Sequence, residues 1–255
     1  MSVSAAPRVQ LASSTQYHPI DIGDGVRFDV DAEGGSAVAE AAGRACYQSW
    51  TRPNAKTASN AGYLEHIKAV GHGSVLEHGS AGFYITGVSR SFTHELIRSR
   101  HLSFSQQSQR YVDESGAAMV LPPLLVEIVD LGDTEALIEF EDAASVAISA
   151  YERLTEHFTE SLDALNPFAT KTERRKQARE AARAILANAV ETRIMVTGNY
   201  RAWRHFINIR ATKHADAEIR GVAVLILCEL QTLAPNVFGD YVIDPDGIVT
   251  SPFTV

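Results

Sequence analysis

Apolar residues recur at alternating intervals of three and four positions between Asp133 and Glu160. The positions are Leu137, Phe140, Ala144, Ala147, Tyr151, Leu154 and Phe158. This spacing places them along one face of a helix, so the segment is predicted to form one long amphipathic helix. Such a face packs either against the core of its own chain or against a second subunit, and the sequence leaves both interpretations open.

Shorter patterns predict strands and helices that follow one another without regular alternation. The predicted strands are Arg8–Ala12, Phe83–Thr86 and Thr192–Thr197, of which the second ends at Gly87 and the third at Gly198. The helices are expected to begin at Ser36, at Ser59 or Asn60, and at Ser91, Thr170, Arg201 and His214. We therefore predict an α+β fold in which one complex domain, residues 1–255, contains a mixed or antiparallel sheet packed by long helices.

Cap and turn signals set several of the predicted boundaries. Thr170-Lys-Thr-Glu173 has the spacing of a capping box. Pro122-Pro123 is expected to interrupt the chain, and the polar residues Ser103–Arg110 are expected to form a loop. Asp244-Pro-Asp-Gly247 predicts a turn between two short strands.

One short sequence pattern occurs twice in the chain. Thr86-Gly87-x-x-Arg90-x-Phe92-x-His94 is repeated as Thr197-Gly198-x-x-Arg201-x-Trp203-x-His205, at an offset of 111 positions (197 minus 86). Both copies are predicted to run from a strand through a glycine turn into a helix. Chance is an alternative for so short a match, but a duplicated unit would place two arginine sets around related sites.

The composition excludes several classes of protein. The chain of 255 residues is 45% hydrophobic and 21% charged, which is typical of a globular protein and not of a disordered one. The longest apolar run, Val222–Cys228, is too short to cross a bilayer, and residues 1–7 lack the basic and apolar parts of a secretion signal. Because the only cysteines are Cys46 and Cys228, both expected in the core, we predict a reduced, cytoplasmic protein without a disulfide framework.

The distribution of charge indicates a small anionic ligand. The net charge of −8 disfavours bulk attraction to nucleic acid or to an anionic membrane, and neither is expected as a partner. Arginines are nevertheless concentrated in residues 90–110 and 171–220. The segment Arg98–Tyr111 adds serine and glutamine side chains that suit phosphate oxygens. The alternative is a surface loop of ion pairs, for which Glu95 and Asp113 are the acids that lie near in sequence.

The residues Arg98, Arg100, Ser103, Ser108 and Arg110 have the spacing of a known signature. They resemble the pattern Arg-His-Arg-x-x-Ser-x-x-x-x-Ser-x-Arg of the flavin-dependent thymidylate synthases. The signature histidine is replaced by Ser99 in this chain. The resemblance continues through Gly71–His78 and Thr197–His205 to Arg210 and His214, and it spans roughly residues 44–220.

This resemblance implies an enzyme that methylates dUMP to dTMP. Methylenetetrahydrofolate would supply the carbon, and FAD reduced by NADPH would carry the hydride. Proteins of this family are homotetramers with FAD and dUMP bound where subunits meet, so self-association is expected. The resemblance assigns dUMP binding to Glu95, Arg98, Gln106, Gln107, Ser108, Gln109, Arg110, Arg183 and Arg210. It assigns FAD binding to His72, Ser74, Arg98, Ser99, Arg100, His101, Gln106, Asn199, Arg201 and His205.

The residues themselves agree with a flavin-based reaction. Uracil carbon 5 is a poor nucleophile, and neither cysteine has the sequence surroundings of a reactive thiolate. A fixed guanidinium can stabilise negative charge that develops on the uracil ring, and Arg210 is assigned this catalytic role. Ser108 has no base placed near it by the sequence, so it is assigned to dUMP binding and not to nucleophilic attack.

Several histidines and aromatic residues are candidates for metal binding or for stacking on a ligand. A metal site is not expected, because the spacings of the candidate ligands match no zinc pattern. Those candidates are His72, Glu77, His78, His94 and His101. Tyr47, Trp50 and Tyr111 are candidates for stacking on a flavin or pterin ring, or for ordinary core positions.

Two other functions remain open from the sequence. A non-catalytic or impaired nucleotide- or flavin-binding protein on the same fold would account for Ser99 in place of the signature histidine. An RNA-binding protein would use the arginine segments, but the net charge and the lack of an aromatic RNA-binding motif disfavour it.

Overall fold

The computed structural model describes residues 2–52 and 54–254. The elements in chain order are β1 (Arg8–Ser14), α1 (Gly34–Tyr47), α2 (Asn60–Ala69), β2 (Ser80–Ser89), α3 (Arg90–Leu96), β3 (Leu102–Gln106), α4 (Pro123–Asp130), α5 (Glu135–Leu165), α6 (Lys171–Ala182), β4 (Glu191–Asn199), α7 (Tyr200–Arg210), α8 (Ala217–Leu233), α9 (Pro235–Phe238), β5 (Val242–Ile243) and β6 (Val249–Thr250). Among the described residues, four strands form an antiparallel sheet in the order β1-β2-β4-β3, and β5 pairs with β6. The predicted α+β class is confirmed.

The chain divides into two compact units. The α5–α6 unit comprises the residues up to Pro7 together with Thr86–Glu95 and Ser105–Ile194. The α7–α8 unit comprises Arg8–Ile85, Leu96–Phe104 and the residues from Met195 onward. Strands β2, β3 and β4 each contribute residues to both units.

Helix α5 is the long amphipathic helix that the periodicity predicts. Its apolar face is incompletely covered: Ala144 and Tyr151 are buried, whereas Leu137, Phe140 and Phe158 are only half-buried. Ala144 belongs to a hydrophobic cluster with Met119 and Val190, against which Phe140 and Ile148 pack. The helix therefore contributes to the core of its unit and keeps part of the stripe accessible.

Helix α6 begins at the predicted capping box. The Thr170 hydroxyl accepts the Glu173 backbone N–H at 3.3 Å, and the Glu173 carboxylate accepts the Thr170 N–H at 2.7 Å. Near the other end of the helix, Arg179 donates to the Asp113 carboxylate at 2.6 Å and to the Tyr111 carbonyl at 2.8 Å. These contacts hold α6 against the segment that follows the signature.

An aromatic cluster forms part of the core of the α7–α8 unit. Trp203 on α7 meets Phe83 of β2 edge to face, with 5.2 Å between ring centroids, and Phe206 at 5.8 Å. The indole N–H of Trp203 donates to the Ala81 carbonyl at 3.0 Å, so the buried polar atom is satisfied. This packing fixes the rotation of α7 about its axis.

Arg204, an arginine of the second arginine-rich segment, serves the fold of the α7–α8 unit. Its guanidinium donates twice to the Asp240 carboxylate, each time at 2.8 Å, and Lys68 donates to the same carboxylate at 2.7 Å. Burial alone would raise the pKa of Asp240, but the hydrogen bonds from Arg204, Lys68 and Ser251 lower it to about 2. Arg204 is therefore bound to Asp240 within the fold, and ligand binding is left to other arginines.

Gly87 and Gly198 do not end their strands, and the prediction that they do is wrong. Strand β2 continues through Gly87, and β4 continues through Gly198; each strand runs directly into a helix. Gly87 has a φ of +71°, and a β-carbon there would lie 2.8 Å from the carbonyl oxygens of Ala5 and Ala6. A glycine is therefore required by close packing inside the strand.

The predicted start of helix α1 is also wrong. The helix begins at Gly34 after Glu33, so Ser36 lies inside the helix and is not its cap. The predicted break at Pro122-Pro123 coincides with the start of helix α4, of which Pro122 is the N-cap and Pro123 the first residue; a proline at the first helical position has no N–H that needs a partner. The predicted start of α2 is confirmed, since Ser59 accepts the Gly62 N–H at 3.2 Å.

The predicted polar loop and the predicted core cysteines need correction as well. Leu102–Gln106 forms strand β3, because pairing with β4 overrides the low strand preference of its polar residues. Cys46 and Cys228 are exposed and not buried. Within the described residues, no helix is both long enough and apolar enough to cross a membrane.

Candidate functional site

A pocket of about 480 Å³ lies in the α7–α8 unit along the first turns of helix α7. We call it the Arg201 pocket. Its lining residues are Glu77, His101, Asn199, Arg201, Ala202, His205, Asn208 and Thr254. His101, Asn199, Arg201 and His205 belong to the set that the signature resemblance assigns to FAD. The structure thus brings together predicted flavin residues from two distant parts of the sequence.

Local structure explains how helix α7 presents these side chains. Asn199 caps the helix by accepting the Ala202 N–H at 2.8 Å. Arg201 and His205 are four residues apart and lie on the same face of the helix. His101 comes from the turn before β3 with a φ of +66°, which is uncommon for a residue other than glycine and often accompanies a functional role.

An ion pair joins two of the residues that line the Arg201 pocket. Arg201 donates to the Glu77 carboxylate at 2.6 Å, and each side chain is about half exposed. Solvent screens such a pair, so it contributes only about 0.2–1 kcal/mol. A ligand carrying a phosphate can therefore replace Glu77 as the partner of Arg201.

A second pocket of about 280 Å³ lies in the α5–α6 unit. We call it the Arg90 pocket. Its lining residues are Arg90, His94, Gln109, Arg183, Ala184, Leu186, Ala187 and Asn188. Gln109 and Arg183 belong to the set that the resemblance assigns to dUMP. Arg90 and His94 do not belong to that set, although the repeated pattern matches them with Arg201 and His205.

The Arg90 pocket is electrostatically prepared for an anion. Burial lowers the pKa of Arg90, the neighbouring Arg183 lowers it further, and Glu114 opposes this shift. Two guanidinium groups that repel each other in a pocket gain most from a ligand with a dianionic group. The backbone of this region is fixed by hydrogen bonds of 3.0 Å from the N–H of Arg90 to the Val190 carbonyl and from that of Ser91 to the Asn188 carbonyl.

Several signature side chains make contacts inside the α5–α6 unit. Gln106 donates to the hydroxyls of Thr93 at 3.0 Å and Thr192 at 3.3 Å. The Arg110 guanidinium pairs with Glu180 at 2.6 Å. Asp113, which the sequence placed within reach of the signature arginines, pairs with Arg179 instead. These contacts connect the signature segment and the residues after it with helix α3, strand β4 and helix α6.

Similarity to known proteins covers nearly the whole chain. The model of the family described as Thymidylate synthase complementing protein matches residues 30–236. The flavin-dependent thymidylate synthases of Mycobacterium sp. strain JLS and of Mycobacterium tuberculosis strain ATCC 25177 / H37Ra are each 52% identical to this chain; both alignments cover 99% of this chain and 98% of the relative. The chain belongs to the flavin-dependent thymidylate synthase family. The family predicted from the signature is confirmed, and so is the prediction of an enzyme.

Solved structures share the fold of this family member. The UMP/dUMP methylase PolB from Streptomyces cacaoi, bound with 5-Br dUMP, is 20% identical with a TM-score of 0.64, and the match covers 94% of this chain and 96% of that one. The same protein bound with 5-Br UMP gives 21% identity and a TM-score of 0.61. At this level of identity the likeness establishes the fold.

The structure leaves many family-assigned residues outside both pockets. These are His72, Ser74, Glu95, Arg98, Ser99, Arg100, Gln106, Gln107, Ser108, Arg110 and Arg210. Their binding roles stay predictions. The structure adds Arg90 and His94, and the signal that identifies both is their alignment with Arg201 and His205 in the repeated pattern.

The aromatic and metal-ligand candidates have varied surroundings. Trp50 packs against Phe28 with 5.0 Å between ring centroids, which is a packing role. Tyr47 is 71% exposed and Tyr111 is 63% exposed, so both stay candidates for stacking on a ligand. Across residues 2–52 and 54–254, no group of three or more His, Cys, Asp or Glu side chains is arranged to hold a metal ion.

Ser99, which replaces the signature histidine, is only 6% exposed and lies between the exposed Arg98 and Arg100. Its hydroxyl is buried and has no hydrogen-bond partner among the described residues. Because an unsatisfied buried hydroxyl costs free energy, Ser99→Ala is expected to keep the free energy of unfolding or raise it by up to ~1 kcal/mol. Chemical denaturation measures this change; a clear loss of stability would show that the hydroxyl has a partner.

Proposed function

We propose that this protein methylates dUMP to dTMP, with methylenetetrahydrofolate as carbon donor and FAD reduced by NADPH as hydride carrier. One observation carries the proposal. In this member of the flavin-dependent thymidylate synthase family, two polar pockets are each lined by an arginine and a histidine from equivalent positions of the repeated pattern. Two anionic ligands, a nucleotide and a flavin dinucleotide, account for two such pockets.

The Arg90 pocket is assigned to the phosphate of dUMP. Arg90 and Arg183 supply two cations, and the Gln109 amide supplies a neutral donor. A phosphate monoester carries close to two negative charges near neutral pH, and it relieves the repulsion between the two guanidinium groups. The pocket volume of about 280 Å³ suits a phosphate and its sugar better than a dinucleotide.

The Arg201 pocket is assigned to the diphosphate of FAD. Arg201, His101 and His205 line it, and the N-terminus of the 11-residue helix α7 adds backbone N–H groups with a favourable dipole. These donors fit a diphosphate, which would replace Glu77 as the partner of Arg201. His72, Ser74, Arg98 and Arg100 are proposed as further FAD contacts.

The chain's own residues bind and orient the uracil while the reduced flavin supplies the hydride. Electron flow into the ring places negative charge on its carbonyl oxygens and ring nitrogen. Arg210, the last residue of helix α7, is proposed to stabilise that charge with its planar guanidinium. Ser108 is proposed to bind dUMP through its hydroxyl without acting as a nucleophile.

We further propose a cytoplasmic homotetramer. The partly covered stripe of helix α5 supports self-association, because the same helix also exposes Ile138 (55%) and Val146 (68%). Light scattering of the flavin-loaded protein at working concentration is expected to give a tetramer. A monomer would contradict this part of the proposal.

The reaction is tested on the purified protein. It is expected to show the visible spectrum of bound FAD, to oxidise NADPH faster when dUMP is present, and to form dTMP when methylenetetrahydrofolate is added. A colourless protein that does not quench flavin fluorescence on titration would overturn the flavin assignment. Flavin and dUMP binding without dTMP formation would favour the second candidate function, a non-catalytic nucleotide-binding protein; Ser99 in place of the signature histidine supports that alternative.

Arg201→Gln is expected to weaken FAD binding by roughly 10- to 100-fold, because a hydrogen bond to a charged group contributes about 1.5–3 kcal/mol. Binding of dUMP should change less than twofold. Glu77→Gln is the matched variant: it frees Arg201 from its ion pair and is expected to leave FAD affinity unchanged or raise it. Fluorescence titration of the apoprotein with FAD measures both constants, and equal weakening by the two variants would contradict the assignment.

A further inference from the structure

Glu114 carries a buried carboxylate just beyond the signature segment. Its relative exposure is 2%. The carboxylate accepts a hydrogen bond from the Gln107 amide at 3.3 Å, and the Glu114 backbone N–H donates to the Tyr151 hydroxyl at 3.4 Å. A group this enclosed does not form a solvent-exposed ion pair, and it does not line the Arg90 pocket.

Charged and titratable groups face Glu114 from three helices and from its own segment. They are Arg90 on α3, Tyr151 on α5, Arg179 on α6 and the neighbouring Asp113. Arg179 is already paired with Asp113 at 2.6 Å. Glu114 and Arg90 act on each other electrostatically, since each shifts the pKa of the other toward the charged form. Glu114 is therefore linked to one lining residue of the pocket, Arg90, and to Gln107 of the signature.

The ionised form of Glu114 does not stabilise the fold. Burial raises the pKa of Glu114, although the Gln107 hydrogen bond and the Arg90 charge both lower it. A carboxyl whose pKa is raised on folding adds stability at low pH and loses that contribution as the pH rises through the raised value. The fold therefore holds this side chain more readily as the neutral acid than as the carboxylate. A buried carboxyl group whose pKa is shifted by burial and by a specific charged neighbour is a candidate for a functional role.

We propose that Glu114 is a positioning residue of the nucleotide site, which holds Arg90 and Gln107 in the arrangement that receives dUMP without touching the nucleotide. The inference rests on the proposed assignment of the Arg90 pocket to the phosphate of dUMP. The hydrogen bond orients the amide of Gln107, and the negative charge of Glu114 attracts Arg90 and favours its charged form. The neutral isostere glutamine keeps the shape of the side chain and removes that attraction.

The test uses E114Q with FAD bound and measures dUMP binding by calorimetry at pH 8. The Kd and KM for dUMP are expected to rise about tenfold, which corresponds to ~1.4 kcal/mol. The value of kcat and the affinity for FAD should stay within about twofold. The melting temperature should be unchanged or higher, as the raised pKa requires. A lower melting temperature or failure to fold would overturn the proposal, because the carboxylate would then be needed by the fold.

The pH dependence supplies a readout that a purely structural residue would not change. As the pH falls, the affinity of the wild-type protein for dUMP should decrease more steeply than that of E114Q. Protonation of Glu114 removes the negative charge that attracts Arg90, and E114Q lacks that charge at every pH. The phosphate of dUMP, with a second pKa near 6, titrates in both experiments, so the difference between the two profiles reports Glu114. Parallel profiles would overturn the proposal.

Asp113→Asn is the matched control. It neutralises the adjacent carboxylate, which is 51% exposed and pairs with Arg179. It is expected to leave dUMP affinity unchanged, and equal weakening by D113N and E114Q would overturn the specific role of Glu114. If the wild-type protein does not bind dUMP, the proposed function itself fails; if it does, and E114Q binds equally well or more tightly, only the role of Glu114 fails.

Discussion

Arg210→Lys is expected to lower kcat for dTMP formation about 100-fold. Removing one preorganised donor to a developing negative charge typically costs ~3 kcal/mol, and each 1.36 kcal/mol is a factor of ten in rate. Lysine keeps the positive charge but presents a point charge on a flexible chain, so it cannot reproduce two parallel hydrogen bonds to the edge of the uracil. Single-turnover formation of dTMP from preloaded protein measures the effect without product release.

The expected loss is in the chemical step and not in folding. Arg153→Lys is the matched control, because Arg153 is exposed on helix α5 and lines neither pocket. It should leave kcat, dUMP affinity and the melting temperature unchanged. If R210K forms dTMP at the wild-type rate, Arg210 has no catalytic role, and the charge on the uracil must be stabilised by another group.

Local signals predicted those parts of the fold in which neighbouring residues decide the structure. The capping box at Thr170 and Glu173 is one example, because both partners lie within one turn of helix. Gly87 shows the limit of such signals. Its φ of +71° agrees with the conformational freedom expected of a turn glycine, yet its strand continues, because distant carbonyl groups pack where a β-carbon would lie. No pattern in the sequence indicates that these carbonyl groups pack so closely against Gly87.

The candidate site likewise contains residues that one sequence block groups together and residues that only folding brings together. Asn199, Arg201 and His205 share one helix end, so a sequence block was enough to group them. Arg90 and Arg183 come from distant parts of the chain and meet only after folding. Gln106 was assigned to ligands by its place in the signature, but its amide donates to Thr93 of helix α3 and Thr192 of strand β4. The repeated pattern aligns Arg90 and His94 with Arg201 and His205, but the sequence analysis assigned neither residue to a nucleotide or flavin site.

Arg90→Gln is expected to raise the Kd for dUMP about 100-fold. Truncating one member of a buried charge pair typically costs about 2–5 kcal/mol, and 1.4 kcal/mol is tenfold in affinity. The variant should fold at least as well as the wild type. Burial and Arg183 lower the pKa of Arg90, so its charged form is held at a cost in the empty pocket, and a neutral side chain removes that cost. Calorimetry with dUMP and with deoxyuridine separates the phosphate from the rest of the ligand.

Arg193→Gln is the matched control for Arg90, since Arg193 belongs to the same unit, is 56% exposed and lines neither pocket. It should leave both affinities unchanged, whereas Arg90→Gln should weaken dUMP and spare deoxyuridine. Equal weakening of the two ligands would mean that Arg90 shapes the sugar or base site and does not bind phosphate. If Arg90→Gln instead weakened FAD binding and left dUMP binding intact, the two ligand assignments would have to be exchanged. The exchange is possible because each pocket presents an arginine and a histidine four residues apart.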